Sequence, residues 1–360
     1  MTSPLDEADL RSRVQACIDA ELRHQVGVLD ELGPDVTDLV DRIRSLLAGG
    51  KRLRAAFLYW GHRAAGRPDS DALVRLATAM EFFQAAALIH DDVMDDSDTR
   101  RGMPSAHRAL AAAHAERGWG GDDERFGLAG AILAGNLCLS WTDELVAGSG
   151  LPAEDVARGR EVFDRMRTQL MAGQFLDVVD SVRPWDDLPA TERLARAQRV
   201  IRYKSAKYTV EHPLLFGASS GGLGEDDLAH LSSYGLDLGH AFQLRDDLLG
   251  VFGDPGSTGK PAGDDLREGK RTVLIAHTLS GTDDAGRTLL RTQLGRADLD
   301  ASTVGHLRTV ITDSGAVDAV EQEISDLAAR ARASLAAATI SPEARPTLDA
   351  LIDVSTARTA

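Results

Sequence analysis

Between residues 70 and 90 the apolar side chains Leu73, Leu76, Ala77, Met80, Phe83, Ala87 and Leu88 recur at steps of one to four. That spacing lays one face of an α-helix against a core. The run then ends in acid: LIHDDVMDDSDTRRG, residues 88–102, holds five aspartates followed at once by Arg100 and Arg101. A helix suited to burial that finishes in a dense acidic end is the strongest constraint the chain carries. Helical spacing returns at 53–65, 126–148, 153–181, 189–219, 226–252 and from 270 onward, and residues 5–47 read as two helices broken near Gly33-Pro34. GWGGDDER, 118–125, reads as a loop, and DPGSTGKPAGDD, 254–265, is the clearest break. Strand alternation is not apparent. The expectation is a single all-α domain over 1–360, built of long helices of which some are apolar on most faces and therefore central.

Composition narrows the partners. Aromatic residues are only 5% of the chain while Ala and Leu abound, which favours helix. A net charge of -16 argues against nucleic acid as the main partner, but leaves room for a small anion held by local cations. Cys17 and Cys138 offer no disulfide framework, which fits a reducing, cytoplasmic setting. The first residues, MTSPLDEADL, lack the apolar segment of a signal peptide. No apolar run approaches the roughly 20 residues of a membrane span, so stable membrane insertion is not expected.

Asp91, Asp92 and Asp95 form D-D-x-x-D. On a helix Asp91 and Asp95 share a face, and Asp92 points about 100° away. Carboxylates at a helix C-terminus oppose the partial negative charge already there. Mg²⁺ would remove the objection, since it takes oxygen ligands from one or two carboxylates, substrate phosphates and water. Alone, the motif is as readily a solvated helix end. The arginines that follow, suited to bidentate phosphate binding, favour the metal–phosphate reading. About 155 residues later FQLRDDLLGVFGD, 242–254, again sets aspartates, Asp246 and Asp247, at the end of an apolar helix. Two such ends in one helical chain point to one cavity with facing carboxylates that share metal ions. The following GSTGKPAGDDLREGKR, 256–271, is not a Walker A loop: Asp254 stands where its first glycine belongs, and Pro261 where Ser or Thr follows the lysine. It reads instead as a loop that carries Lys260 and Lys270 to a phosphate, or as an ordinary surface loop.

GGKRLR, LIHDDVMDDSDTRRG, YKSAKYT and FQLRDD…TGKP…EGKR occur in an order and approximate spacing that closely resemble the trans-isoprenyl diphosphate synthases, the polyprenyl synthetase family, from about residue 45 to 280. The resemblance implies mostly antiparallel helices around a deep central cavity, a homodimer, and Mg²⁺-dependent joining of an allylic diphosphate to isopentenyl diphosphate. It places Asp91, Asp92, Asp95, Asp246 and Asp247 at the metals, with Asp91, Asp95 and Asp246 as direct ligands. It puts Lys51, Arg54, Gln84 and Arg101 on isopentenyl diphosphate, and Arg100, Lys204, Gln243, Lys260 and Lys270 on the allylic diphosphate. Lys204, Ser205 and Gln243 stand at catalytic positions, Ser205 where the family usually has Thr. Gln174 and Asp177 are supporting polar groups. One departure stands out: the second motif ends in Gly250 rather than a third aspartate, so its contribution is lost or replaced by Asp254 or Asp265. Lys270 also requires a one-residue insertion relative to the short-chain pattern.

The chemistry implied is breakage of an allylic carbon–oxygen bond, with fixed cations on the leaving diphosphate and a dry cavity for the allylic cation. The departing diphosphate can take the final proton, and no protein base is required. His90 and His107 then read as structural. The resemblance also bears on product length. Ala87 and Ala86, four and five residues before Asp91, are small, whereas Phe83 lies eight before it. Three or four residues of helix add about 4.5–6 Å, close to one isoprene unit, so Phe83 as the floor predicts geranylgeranyl diphosphate. The competing view is that Phe83 merely packs in the core and that another helix, near Asn136 to Trp141, forms the floor. Farnesyl and longer products are the alternatives. A class I terpene cyclase and a non-catalytic partner subunit are the remoter ones.

Overall fold

The computed structural model describes residues 7–185, 188–253 and 263–357. The architecture is all-helical, as expected. The principal helices are Leu10–Leu29, Thr37–Leu47, Leu53–Ala64, Asp71–Met94, Ala106–Glu116, Asp123–Ala147, Ala153–Val182, Ala190–Val200, His212–Gly221, Glu225–Phe252, Val273–Gly281, Asp284–Gln293, Ala301–Asp313, Ala316–Ala337 and Arg345–Thr356. By its contacts the chain divides into two compact units. One comprises the described residues of Met1–Glu161, Pro213–Gly224 and Ile340–Leu348; the other those of Val162–His212, Glu225–Thr339 and Asp349–Ala360.

In the first unit Asp71–Met94 is the central helix. Its N-terminus is capped by Ser70, whose hydroxyl accepts from the Leu73 amide at 3.1 Å. Phe82, Phe83, Ala86 and Ile89 are fully enclosed. It packs on Asp123–Ala147, where Phe82 meets Trp141 edge-on, their centroids 6.1 Å apart. The expectation about membrane spans needs one correction: this helix is long and apolar enough to cross a bilayer, with a mean hydropathy of 1.5. Yet 72% of that segment is buried in protein, and a core helix enclosed on most faces meets the same measure. Leu53–Ala64 crosses the segment after Pro213 at backbone contact. A Cβ on Gly61 would overlap the Leu214 carbonyl, and one on Gly217 the Leu58 carbonyl.

In the second unit Glu225–Phe252 packs on Ala316–Ala337 and on the segment Ile201–Glu211. The sequence periodicity reads that segment as ordinary α-helix, but it is π-helical. Such turns are rare and concentrate at functional sites. Two glycines let neighbours approach it: a Cβ on Gly173 would sit 2.5 Å from the Tyr203 carbonyl carbon, and one on Gly239 2.6 Å from the Ala206 Cα. One short ladder interrupts the helices. Thr99–Arg100 and Met103–Pro104 form a two-residue antiparallel ladder. Its turn residues Arg101 and Gly102 are both at positive φ, 55° and 74°, as tight two-residue hairpins require.

Candidate active site

The first unit assembles an acidic helix end and a cluster of arginines. Asp95 caps Asp71–Met94, its amide donating to the Asp91 carbonyl at 2.8 Å. Asp91 and Asp95 are both partly exposed, on one helix face. Asp92 is buried at 2% exposure. It accepts from Arg100 Nε at 2.8 Å and also from the Arg100 terminal nitrogen, which lies 3.6 Å from Asp91 Oδ2. The remaining acids of the stretch are held elsewhere: Arg108 donates to Asp98 at 2.9 Å and to Asp96 at 3.0 Å. The density of aspartate therefore resolves into two groups with different partners.

The hairpin turns Arg101 away from Arg100. Arg101 Nη1 donates to the carbonyls of Leu46 and Gly49, both at 2.9 Å, the turn that leads into Lys51 and Arg54. Burial presses the Arg101 guanidinium below its usual value; Glu81 opposes this, and Arg52, Arg100 and Arg54 add to it. Such a cluster of cations suits an anion. A gap of about 10 Å³, room for about one water, is lined by Arg101, Gln84, Arg52, Glu81 and Leu88 among others, so Gln84 and Arg101 are neighbours. Lys51 is exposed beside it in sequence. Arg52, not anticipated among the candidates, is 5% exposed. It donates to Glu81 Oε2 at 3.1 Å, and to Gln15 and the Leu47 carbonyl at 2.5 Å each. Its position between Lys51 and Arg54 was visible in the sequence, but no local signal marked Glu81 as its partner.

The second unit carries the other set. Lys204 Nζ donates to Asp177 Oδ2 at 2.6 Å. Ser205 Oγ donates to Gln243 Oε1 at 2.5 Å, and Gln243 Nε2 to Asp247 Oδ1 at 2.8 Å. Gln174 lies one turn before Asp177 on Ala153–Val182 and is half-buried. Asp247 is 4% exposed. Its pKa is pushed up to about 8 by burial first and by the Asp265 and Asp246 charges, against Gln243 and Lys270. Lys270 Nζ lies 3.1 Å from Asp265 and 2.5 Å from Glu268. A Cβ on Gly250 would overlap the Asp265 carboxylate, so Asp265 takes the space of the missing third aspartate. Lys260 and Asp254 lie outside the described residues.

Asp92 and Asp247, expected among the metal carboxylates, are thus each buried and each hold a side-chain donor. His90 and His107 engage neighbours within the fold: His90 Nε2 is 3.2 Å from the Ile132 carbonyl, and His107 Nδ1 3.2 Å from Ser105 Oγ. Among the described residues no three His, Cys, Asp or Glu side chains enclose a metal by themselves. The carboxylates do fit a hard cation: Asp91 and Asp95 stand partly exposed on one helix face, and oxygen donors are the set that Mg²⁺ takes.

Two aspartate-rich helix ends and a basic GGKRLR turn on an all-helical chain are the features of the isoprenyl diphosphate synthases, a class of prenyltransferases. The pattern of the polyprenyl synthetase family matches residues 37–311, and the chain belongs to that family. The crystal structure of geranylgeranyl pyrophosphate synthase from Corynebacterium glutamicum, complexed with isoprenyl diphosphate and magnesium, superposes with a TM-score of 0.92 at 40% identity, covering 97% of this chain and 99% of that one. Geranylfarnesyl diphosphate synthase of Aeropyrum pernix is 32% identical over 85% of this chain and 89% of its own length. Nonaprenyl diphosphate synthase of Mycobacterium tuberculosis is 30% identical over 96% and 92%. The relatives span different product lengths.

Proposed function

We propose that the chain condenses isopentenyl diphosphate head-to-tail with allylic diphosphates and stops at geranylgeranyl diphosphate. The observation that carries the product length is the series along one helix. Asp91 stands at its exposed end, Ala87 and Ala86 one turn behind, and Phe83, 1% exposed, a further turn down. A chain growing from the diphosphate end past the two alanines meets an aromatic ring about 4.5–6 Å deeper, room for one more isoprene unit than a block at the alanine level. The Corynebacterium relative's product supports the same length.

Lys51, Arg54, Gln84 and Arg101 hold isopentenyl diphosphate in this reading. Asp91, Asp95 and Asp246 hold Mg²⁺, which when bound supplies positive charge to the leaving diphosphate; the magnesium in the Corynebacterium complex supports it. Asp92 and Asp247 act as anchors, for Arg100 and Gln243. Arg100, Lys204, Lys260 and Lys270 add cationic charge to the allylic diphosphate, with Lys204 released from Asp177 as the anion arrives. The Ser205–Gln243 pair fixes the amide beside the reacting carbons, and Gln174 and Asp177 support Lys204. Fixed charges of this kind lower the barrier without reorganising during the reaction. A homodimer accords with the apolar side chains Phe126, Leu128, Ile132 and Leu133 that Asp123–Ala147 leaves exposed.

The test is to incubate the chain with Mg²⁺, isopentenyl diphosphate and, in separate runs, geranyl or farnesyl diphosphate, and weigh the product. A twenty-carbon diphosphate is expected, and Phe83→Ala should lengthen it. A mainly fifteen-carbon product from shorter starters, or an unchanged distribution in Phe83→Ala, would remove Phe83 as the floor. Failure to consume isopentenyl diphosphate would favour a cyclase or a silent subunit.

A further inference from the structure

Arg245 stands immediately before Asp246, yet its side chain engages the C-terminal helices. Its Nε donates to the backbone carbonyl of Thr356 at 2.9 Å, and its two terminal nitrogens donate to the two oxygens of Glu321 at 2.6 Å each. Thr356 closes the helix Arg345–Thr356, whose last carbonyls lack partners within the helix. Glu321 belongs to Ala316–Ala337. The planar guanidinium meets the carboxylate fork to fork, the strongest geometry available to this pair, and only 16% of the Arg245 side chain is exposed.

A second arginine works at the same helix end. Arg308 Nε donates to the Val251 carbonyl at 2.7 Å, and its guanidinium carbon lies 6.0 Å from the Phe252 ring centre. The last two turns of Glu225–Phe252, which carry Asp246, Asp247 and Gly250, are therefore gripped by an arginine at either end. Beside Arg245 lies a cavity of about 540 Å³, bounded by Glu321, Arg332 and Thr356 among others. Close packing does not fill that side, so directed hydrogen bonds set where Arg245 lies.

We infer that Arg245 is a positioning residue: through Glu321 and the Thr356 carbonyl it fixes the turn that aims Asp246. The inference rests on the reading of Asp246 as a metal-holding carboxylate. It differs from plain structural support in what it predicts, because a turn that rotates should weaken metal binding more than isopentenyl diphosphate binding.

The experiment compares Arg245→Met, Arg245→Lys, Glu321→Gln and Asp246→Asn with the wild type as full chains. Two readings are taken: the half-saturating Mg²⁺ concentration for condensation, and the melting-temperature rise produced by Mg²⁺ with inorganic diphosphate, which needs no turnover. Arg245→Met should raise the Mg²⁺ requirement about 10-fold, the usual cost of losing a group that orients a ligand, with the KM for isopentenyl diphosphate unmoved. Arg245→Lys keeps the charge but not the fork and should fall between Met and wild type; Glu321→Gln should shift in the same direction. If Arg245→Met does not fold, Glu321→Gln decides alone. A lowered melting temperature with an unmoved Mg²⁺ requirement would overturn the positioning role. If Asp246→Asn leaves the requirement unmoved, the metal role of Asp246 fails and this inference with it. A shift in Asp246→Asn alone refutes only the part played by Arg245.

Discussion

The carboxylate of Asp265 occupies the volume that a side chain at Gly250 would need. The two positions are 15 residues apart in sequence, and the departure at one explains the placement of the other. Gly250→Asp should push two carboxylates into one space. Overpacking of this kind costs about 1–3 kcal/mol, and the like charges add to it. Combining Gly250→Asp with Asp265→Gly moves the carboxylate onto the helix and should recover most of the loss. Urea denaturation of the two single variants and the pair checks this. A double variant no better than Gly250→Asp alone would show that the two positions do not share the space.

A different cost is expected where Arg52 meets Glu81. Both are almost fully buried, and Glu81 Oε1 also accepts from the Ala55 amide at 3.3 Å. Glu81→Leu strips the arginine of its counter-charge and should destabilise the fold by about 3–5 kcal/mol. Arg52→Met with Glu81→Leu removes the orphaned charge and should recover at least about 1 kcal/mol of that, measured by denaturant unfolding. A double variant weaker than Glu81→Leu would mean that the other bonds of Arg52, to Gln15 and Leu47, outweigh the buried charge.

Much of this was legible in the chain, for a physical reason. Helix periodicity and acidic ends are local patterns, so Asp71–Met94 with its Asp91–Asp95 face could be read directly. What escaped depends on partners far away in sequence. The π-helical form of Ile201–Glu211 has no local signature. Gly173 and Gly239 reveal themselves only through the backbone they admit. The two-residue ladder at Thr99–Pro104 is too short to alternate visibly, yet it sends Arg100 to Asp92 and Arg101 to the turn before Lys51. The burial of Asp92 follows from the helix phase already visible in D-D-x-x-D, whereas its pairing with Arg100 follows from the hairpin. Arg52, between two anticipated ligands, was overlooked because its partner Glu81 lies on another helix.

The contrast between Asp91 and Asp92 gives a third prediction. Asp91 is partly exposed on the face it shares with Asp95, while Asp92 is buried beneath Arg100. Asp91→Asn should raise the half-saturating Mg²⁺ concentration by about 10-fold or more. Asp92→Asn should act chiefly on the KM of the allylic diphosphate, because it loosens Arg100. Steady-state kinetics at varied Mg²⁺ and varied substrate separate the two. Equal effects on the Mg²⁺ requirement would return Asp92 to the ligands.

Acid should weaken the fold through three buried histidines. Burial lowers His62 to about 4 and His240 to about 4, and drives His212 to about 3, each from an ordinary value of 6.5. His62 Nδ1 lies 3.0 Å from Ser220 Oγ in the interior, where the ring stays neutral. In the unfolded chain the same rings take up protons as the pH falls through 6.5, while the folded rings do not. The unfolded state then binds more protons, so stability falls with pH between about 6.5 and 4, at up to about 1.4 kcal/mol per pH unit for each ring. Above 6.5 these rings are neutral in both states and contribute no slope. His62→Asn, which keeps a polar partner for Ser220 but cannot titrate, should remove about one proton from that slope. Melting curves of the two proteins between pH 7.5 and 4.5 measure it, and parallel curves would mean that the His62 ring is protonated alike in both states.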